Sequence, residues 1–223
     1  MRIFFLILAV IALASGLILL IFISPGEARK ANRIGSLKEA DLATFQALAP
    51  GQDVVVTGVL TGNAELDYGL VAYHRYRWRI STDSDDKEVG GWRPDMLMAP
   101  ALTISMPGGQ VTTTAMDLPS LGGKYHAYEA GSGGRMVSGK PEGSTRWTGF
   151  KNGDMVTVVG KKDTSGQITP EILWAGSLQD IIKSFGLDAE AHRSFGWCLT
   201  VPALLILLAV LWPYTQVLLR RKS

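Results

Sequence analysis

Three arginines at every second position are the residues whose spacing is most suggestive of chemistry. In the stretch Leu70–Ser81, Arg75, Arg77 and Arg79 alternate with aromatic residues. Because successive side chains of a strand point to opposite faces, the pattern predicts a β-strand with all three guanidinium groups on one face. Such groups bind carboxylates and phosphates through paired hydrogen bonds. This face could therefore bind an acidic partner, lipid headgroups or a nucleic acid backbone.

A solvated strand face is the alternative interpretation of these arginines. Acidic residues follow directly in the chain and could neutralise the face: Asp83, Asp85, Asp86 and Glu88. The same acidic turn is a poor calcium loop, because Lys87 stands where a ligand is needed and the sharp-turn glycine is missing.

No pattern in the chain predicts a catalytic, cofactor or metal site. Ser138-Gly139-Lys140 resembles the end of a phosphate-binding loop, but Pro141 follows where Ser or Thr is required. The histidines are too scattered for a metal triad, and Cys198 is the single cysteine, which excludes cysteine-based zinc sites. We therefore expect no cofactor and no metal.

The charge balance argues against a nucleic acid partner. The chain has 223 residues and a formal net charge of +2, but residues 24–196 carry 18 Lys and Arg against 20 Asp and Glu. A domain that binds a polyanion normally has a basic excess. Once the apolar ends are set aside, roughly 170 residues remain, which is enough for one domain.

Two uncharged runs predict membrane spans. Residues 195–219 have no charged residue and precede the basic tail 220–223, and residues 3–23 form a second uncharged run. Each run is long enough to cross a hydrocarbon core of ~30 Å. A cleaved signal peptide is the alternative for the first run, with a small-residue site at Ala12–Ala14, but the run continues to Ile23 and favours a retained anchor.

Between the spans, alternating β-rich runs predict a mainly β domain, either a small barrel or a sandwich. The predicted strands are Asp53–Leu60, Leu70–Ser81, Leu102–Met106, Gln110–Thr114, Lys124–Glu129 and Ile168–Trp174. A weak internal echo relates residues 50–58 to residues 152–160, since each has a turn, alternating β-branched residues and a glycine.

Helical patterns lie at both margins of this domain. A helix is predicted to begin at Ser36 with a Ser36–Glu39 capping box, after a break at Ser24-Pro25-Gly26. A second is predicted over Ser177–Phe185, capped by Ser177 and ended by Gly186.

The order of these parts resembles the GIDE ("beside a membrane") domain family of Mulan-like membrane proteins. The resemblance rests on Arg135–Pro141, with its Val-Ser-Gly-Lys-Pro segment, on the glycine-ended strand Gly153–Gly160, and on the following strand, short helix and span. The resemblance covers residues 36–219 and implies that the β-rich domain, which the sequence patterns place over residues 36–186, is held against the membrane by both ends. Family members that are ubiquitin ligases carry a zinc RING after the second span, and this chain has no such cysteines. The resemblance therefore implies no ligase activity and no catalytic residues.

Together these features predict a non-catalytic, two-span membrane protein whose β domain binds a partner at the membrane surface. The expected partners are the lipid bilayer and another membrane protein or a second copy of the chain. A membrane-associated hydrolase acting on lipid or envelope material and an accessory subunit of a larger membrane complex remain alternatives. The basic tail predicts cytoplasmic termini and an extracytoplasmic domain.

Overall fold

The chain divides into two units, which we describe from a computed structural model covering residues 2–115, 120–123 and 125–220. One unit is Ser36–Ile181 and holds the strands. The other joins the two ends of the chain, residues 1–35 and 182–223, and its described part is helical.

Ser36–Ile181 is mainly β, as the sequence predicted. Its strands are β1 (Asp53–Leu60), β2 (Ala72–Thr82), β3 (Glu88–Met98), β4 (Thr103–Met106), β5 (Gly109–Thr112), β6 (Ser120–Gly123), β7 (His126–Ala130), β8 (Met136–Val137), β9 (Lys140–Pro141), β10 (Thr145–Phe150), β11 (Met155–Lys162) and β12 (Ile168–Ala175). They form a six-stranded sheet β5-β4-β1-β11-β12-β6, a four-stranded sheet β3-β2-β10-β7 and the ribbon β8-β9. Both larger sheets are open, with edge strands β5 and β6 in one and β3 and β7 in the other. Among the described strands no sheet closes into a barrel, so the barrel alternative is wrong.

The two echoing segments pair with each other. β1 and β11 are antiparallel neighbours at the centre of the six-stranded sheet, with Val56 opposite Val158 and Thr57 opposite Thr157. The two threonine hydroxyls lie 2.9 Å apart and Thr157 is fully buried. The neighbouring valines are buried as well, and they are consecutive in both strands, so both faces of this strand pair are covered.

Several strands were predicted less well. β3 was not predicted, because Gly90, Gly91 and Pro94 hide its pattern. The predicted strand Lys124–Glu129 corresponds to β7, which runs from His126 to Ala130, and Lys124 lies outside the described residues. The short strands β8 and β9, which pair with each other, were not predicted.

The N-terminal helix does not break at Ser24-Pro25-Gly26, contrary to prediction. α1 (Arg2–Ile18) passes through a π-helical turn (Leu19–Ile23) into α2 (Ser24–Ser36). Pro25 has no N–H and its ring would clash with the preceding turn of a regular helix. The wider π turn next to it gives the chain a way to continue, and the Ser24 N–H bonds to the Leu19 carbonyl five residues back.

The predicted capping box of Ser36 and Glu39 is also wrong. Ser36 ends α2, and the short helix α3 (Leu42–Ala47) is capped by Asp41, whose carboxylate accepts from the Thr44 N–H at 2.8 Å. Residues 39–40 instead approach β1, where the Ala40 N–H donates to the Val55 carbonyl.

The last helix, α4 (Leu178–Arg220), has 43 residues. It begins as predicted, because Ser177 and Asp180 exchange hydrogen bonds at its first turn. Gly186 does not end it. A glycine in a helix interior costs only about 1 kcal/mol relative to alanine, so this glycine alone does not stop α4, which also packs on the N-terminal helix at Gly196 and Thr200.

Small residues let α1 and α2 pack closely on α4. A Cβ on Gly16 would overlap the Thr200 hydroxyl, Gly196 contacts Leu20, and the Ser24 hydroxyl donates to the Ala189 carbonyl at 3.0 Å. Four small residues of the N-terminal helix are buried: Ala9, Gly16, Ser24 and Ala31. They are seven residues apart, except that Gly16 and Ser24, which flank the π turn, are eight residues apart because that turn contains one extra residue. The π turn thereby keeps one face of the helix in contact with α4.

Both helical segments are long and apolar enough to cross a membrane. The segments are Leu6–Ser36 and Leu178–Val210, with mean hydropathies of 3.1 and 1.8 over their most apolar windows.

Candidate interaction surface

β2 places the three predicted arginines on one face of the four-stranded sheet. Across the sheet, Arg77 pairs with Arg93 on β3, and directly opposed residues share a face. We call Arg75, Arg77, Arg79 and Arg93 the arginine face. Arg77, Arg79 and Arg93 are exposed and Arg75 is half-buried.

A β-bulge supplies the carboxylate on this face. Arg75 lies opposite Met96 but Tyr76 lies opposite Pro94, so Asp95 is the extra residue of β3. Its Oδ2 accepts from Arg75 Nε at 2.8 Å and lies 3.7 Å from Arg77 Nη2. One carboxylate is thus shared by two guanidinium groups.

The acidic turn after β2 does not neutralise the arginine face. Asp83 accepts hydrogen bonds from the N–H groups of Asp85 and Lys87 and so closes the β2–β3 turn. Glu88 forms an ion pair with Arg135. Among the described residues neither Arg79 nor Arg93 has an ion-pair partner, so the face carries a positive excess.

Aromatic rings continue this face toward β7. Trp147 of β10 lies between Arg75 of β2 and Tyr128 of β7 in one cross-strand row. The Tyr68 ring stacks on Tyr128 at 5.1 Å and tilts against Trp147 at 4.8 Å. We call Tyr68, Tyr128 and Trp147 the aromatic cluster. A Lys151 ammonium 5.1 Å above the Tyr128 ring adds to the positive character.

Asp67 holds the aromatic cluster against the strands. Its Oδ2 accepts from the Tyr73 hydroxyl at 2.9 Å and from Trp147 Nε1 at 3.2 Å. Burial, together with this hydrogen bond to Asp67, raises the pKa of Tyr73 above its ordinary value, so the phenol stays protonated and keeps donating. The next residue, Tyr68, has φ 58 and is 47% exposed. A tyrosine in this left-handed region is strained, and its stacking contacts offset that strain.

On the opposite face of the same sheet, both Lys140 and Arg146 have an ion-pair partner within the domain. Glu129 accepts hydrogen bonds from Lys140 and Arg146, and the bond from Lys140 is the main reason that the pKa of Glu129 lies below its ordinary value. Both cations also lie over the Trp92 ring, with Arg146 at 4.4 Å from its centre.

Trp78 packs edge-on against Trp92 on that opposite face and over Gly90. Trp78 is 8% exposed, and its Nε1 has no hydrogen-bond partner among the described residues. Farther along β2, the His74 ring lies 6.0 Å from the Tyr76 ring, and burial lowers the pKa of His74, so its ring is neutral at pH 7.

The remaining histidines do not assemble a site in the described part of the chain. His126 Nε2 contacts Asp154 Oδ1 at 3.1 Å, which ties β7 to the turn before β11. No group of three His, Cys, Asp or Glu side chains there could hold a metal ion.

Sequence reasoning found the arginines of β2 but missed Arg93, Asp95 and the aromatic cluster. The alternation in β2 is local, whereas Arg93 and Asp95 join the face through pairing with a strand that was not predicted. Tyr68 lies in a 3-10 turn (Asp67–Gly69), where no periodicity marks an exposed aromatic residue.

Comparisons with protein-family models, with curated proteins and with solved structures give no match to this chain.

Proposed function

We propose that this chain is a non-catalytic, membrane-anchored protein that binds an acidic segment of another membrane protein through the arginine face and the aromatic cluster. Both apolar helical segments serve as spans. The six-stranded and four-stranded sheets pack face to face as a sandwich, a proposal supported by one buried cluster that includes Val56 of β1 and Phe150 of β10.

The excess of arginine on an exposed, aromatic-bordered face is the observation that carries this proposal. Four guanidinium groups share the face with the Asp95 carboxylate, and two of the four have no ion-pair partner among the described residues. Arginine, tyrosine and tryptophan are the residues most enriched at binding hot spots. An acidic segment supplies the missing carboxylates, and its apolar side chains cover the exposed Tyr68 ring and the half-buried rings beside it.

Membrane anchoring makes weak binding sufficient. A domain attached at both ends moves in a thin layer beside the bilayer, which raises its effective concentration toward other membrane proteins. Exposed ion pairs are worth only about 0.2–1 kcal/mol each, so several must act together.

Topology follows from the charges beside the second span. Arg220, Arg221 and Lys222 follow it directly, and basic residues next to a span favour the cytoplasm. The Arg29, Lys30 and Arg33 group beside the first span favours the opposite orientation. We give the second span precedence because its triplet is undiluted by acidic residues. Both termini are then cytoplasmic and the β domain is extracytoplasmic, as the GIDE resemblance also implies.

Site-directed photo-crosslinking in native membranes tests the binding proposal. A photoreactive amino acid replaces Arg79 in one variant and Lys161, an exposed strand residue of the other large sheet, in a matched control. We expect a discrete protein adduct from position 79 and none from position 161. Arg77→Glu and Arg93→Glu together should abolish that adduct, because the acidic segment is then repelled.

Three results would contradict the proposal. Adducts of equal yield from both positions would indicate random collisions. A lipid adduct from position 79 would assign the arginine face to lipid headgroups. An adduct that survives the double charge reversal would show that binding does not depend on the arginine charges. A discrete adduct whose yield falls as salt rises supports it, since exposed charges are screened within about 8–10 Å at 0.1–0.15 M ionic strength.

A further inference from the structure

A groove lies between α2 and α4 in the helical unit. Its volume is about 240 Å³, and its walls include the small residues Ala28, Ala31, Gly186 and Ala189. A Cβ added to Gly186 would meet no atom within 4 Å, so this wall is open. The volume is below the ~300–1,000 Å³ of pockets for drug-sized ligands, and it suits a small polar group.

The polar side chains that line the groove carry both signs of charge. Asn32 on α2 faces it together with Glu190 and Arg193 on α4. Glu190 and Arg193 are three residues apart on one helix, yet neither has an ion-pair partner among the described residues. All three side chains are exposed, so a carboxylate, a guanidinium group and an amide beside one small volume are accessible to a ligand.

The groove lies where the apolar sequence stops. The uncharged run of residues 3–23 ends just before Ser24, which lines the groove, and the run of residues 195–219 begins just after Arg193. In a helix pair that spans a bilayer, this level corresponds to the headgroup layer, where charged side chains and lipid phosphates meet.

We propose that this groove binds the headgroup of a phospholipid that carries both a phosphate and a primary amine, a proposal that rests on the proposed membrane anchoring. Arg193 binds the phosphate through charge-assisted hydrogen bonds. Glu190 accepts from the ammonium group and Asn32 completes the polar lining. A quaternary amine has no N–H to donate, and a glycerol headgroup offers neutral hydroxyl donors without a cation, so both interact with Glu190 more weakly than a primary ammonium does.

Native mass spectrometry of the full chain in mild detergent tests lipid binding directly. The probes are phosphatidylethanolamine, phosphatidylcholine and phosphatidylglycerol with identical acyl chains. We expect phosphatidylethanolamine to bind at about tenfold lower concentration than the other two lipids. A single additional charge-assisted hydrogen bond is strong enough to account for this preference.

Two charge variants separate the roles of the groove residues. Arg193→Ala should weaken binding of all three lipids by about tenfold, and Glu190→Gln should remove the preference for the primary amine. The matched controls are Arg29→Ala and Asp188→Asn, which remove the same charges from exposed positions outside the groove and should change nothing.

A steric variant tests the cavity without changing charge. Gly186→Leu should fill the groove and abolish the preference, whereas Gly26→Leu, at a helical glycine that also has open space around it and does not line the groove, should leave it intact. Retained preference in Gly186→Leu would overturn the proposal.

Two further outcomes would also overturn the proposal. Equal binding of the three lipids shows that the groove does not recognise headgroups. Competition by free phosphoethanolamine at the concentration at which the lipid binds reassigns the groove to a soluble phosphate ester. Release of the protein from membranes at alkaline pH would refute the anchoring but not the lipid preference measured in detergent, so the failures of the two proposals are distinguishable.

Discussion

The two faces of the four-stranded sheet use the same residue types in opposite ways. On one face Glu129 binds Lys140 and Arg146, and both cations lie over Trp92. On the other face Arg79 and Arg93 have no carboxylate partner among the described residues, and Tyr68 is exposed. On the first face both cations have an ion-pair partner within the domain, so these contacts contribute to stability. The second leaves charges and rings for another molecule.

This difference separates stability from recognition within a single sheet. Substitutions on the face that holds Glu129 and Trp92 should reduce the free energy of unfolding. Substitutions on the arginine face should leave it nearly unchanged while they remove partner binding. In the following predictions, the full chain is unfolded in detergent micelles and its unfolding is monitored by tryptophan fluorescence.

Adjacent glycines of β3 provide the largest expected contrast. A Cβ on Gly90 would overlap the Trp78 ring, whereas a Cβ on Gly91 would meet no atom within 4 Å. Gly90→Val should lower the free energy of unfolding by about 1–3 kcal/mol, because overpacking displaces a buried ring. Gly91→Val should change it by less than about 0.5 kcal/mol. Equal effects of the two variants would show that the faces do not differ in packing.

Removing one arginine from each face gives the next contrast. Arg146→Ala loses the hydrogen bond to Glu129 and the contact with Trp92, and it should destabilise the domain by about 1 kcal/mol. Arg79→Ala should be neutral within about 0.5 kcal/mol. A larger loss for Arg79→Ala would mean that the arginine face is structural.

The pH dependence of stability should report the Glu129 pair with a smaller effect. The pKa of Glu129 in the folded state lies below its ordinary value of 4.5, chiefly because of the hydrogen bond from Lys140. Its contribution is therefore fully present above about pH 4.5 and is lost as the pH falls toward the folded-state pKa. Since the pair is solvent-exposed, screening limits the contribution to a few tenths of a kcal/mol.

Glu129→Gln should flatten this part of the profile. Unfolding curves of both proteins between pH 6 and pH 3 should converge as the pH falls. A difference that grows toward low pH would contradict the assigned sign.

The smallest expected change in stability is that of Tyr68→Gly. Glycine removes the strain of φ 58, worth about 1 kcal/mol, but it also removes the stacking on Tyr128 and Trp147. The two effects nearly cancel, so the midpoint of unfolding should stay the same. The adduct from position 79 should nevertheless weaken, because an exposed ring of the proposed surface is lost. An unchanged adduct would remove the aromatic cluster from the binding surface.

Local patterns predicted the elements whose neighbours in the chain determine them. Alternating β-branched residues marked β1 over its observed bounds, alternation in β2 placed three arginines on one face, and Ser177 marked the start of α4. Uncharged runs likewise marked the two long helical segments. In each case residues a few positions apart carry the information, because side-chain direction repeats every two residues in a strand and every 3.6 in a helix.

Only the tertiary structure decided how these elements meet. The pairing of β1 with β11, the bulge that brings Asp95 beside Arg75, and the stacking of Tyr68 on Tyr128 join residues far apart in the chain. The continuation of α4 through Gly186 also overrides a local stop signal. Apart from proline, local propensities differ by at most about 1 kcal/mol per residue, and packing and cross-strand contacts summed over a whole element exceed that. The placement of the three β2 arginines on one face therefore follows from the local sequence pattern. Their shared carboxylate and their aromatic neighbours are brought to that face by the tertiary structure.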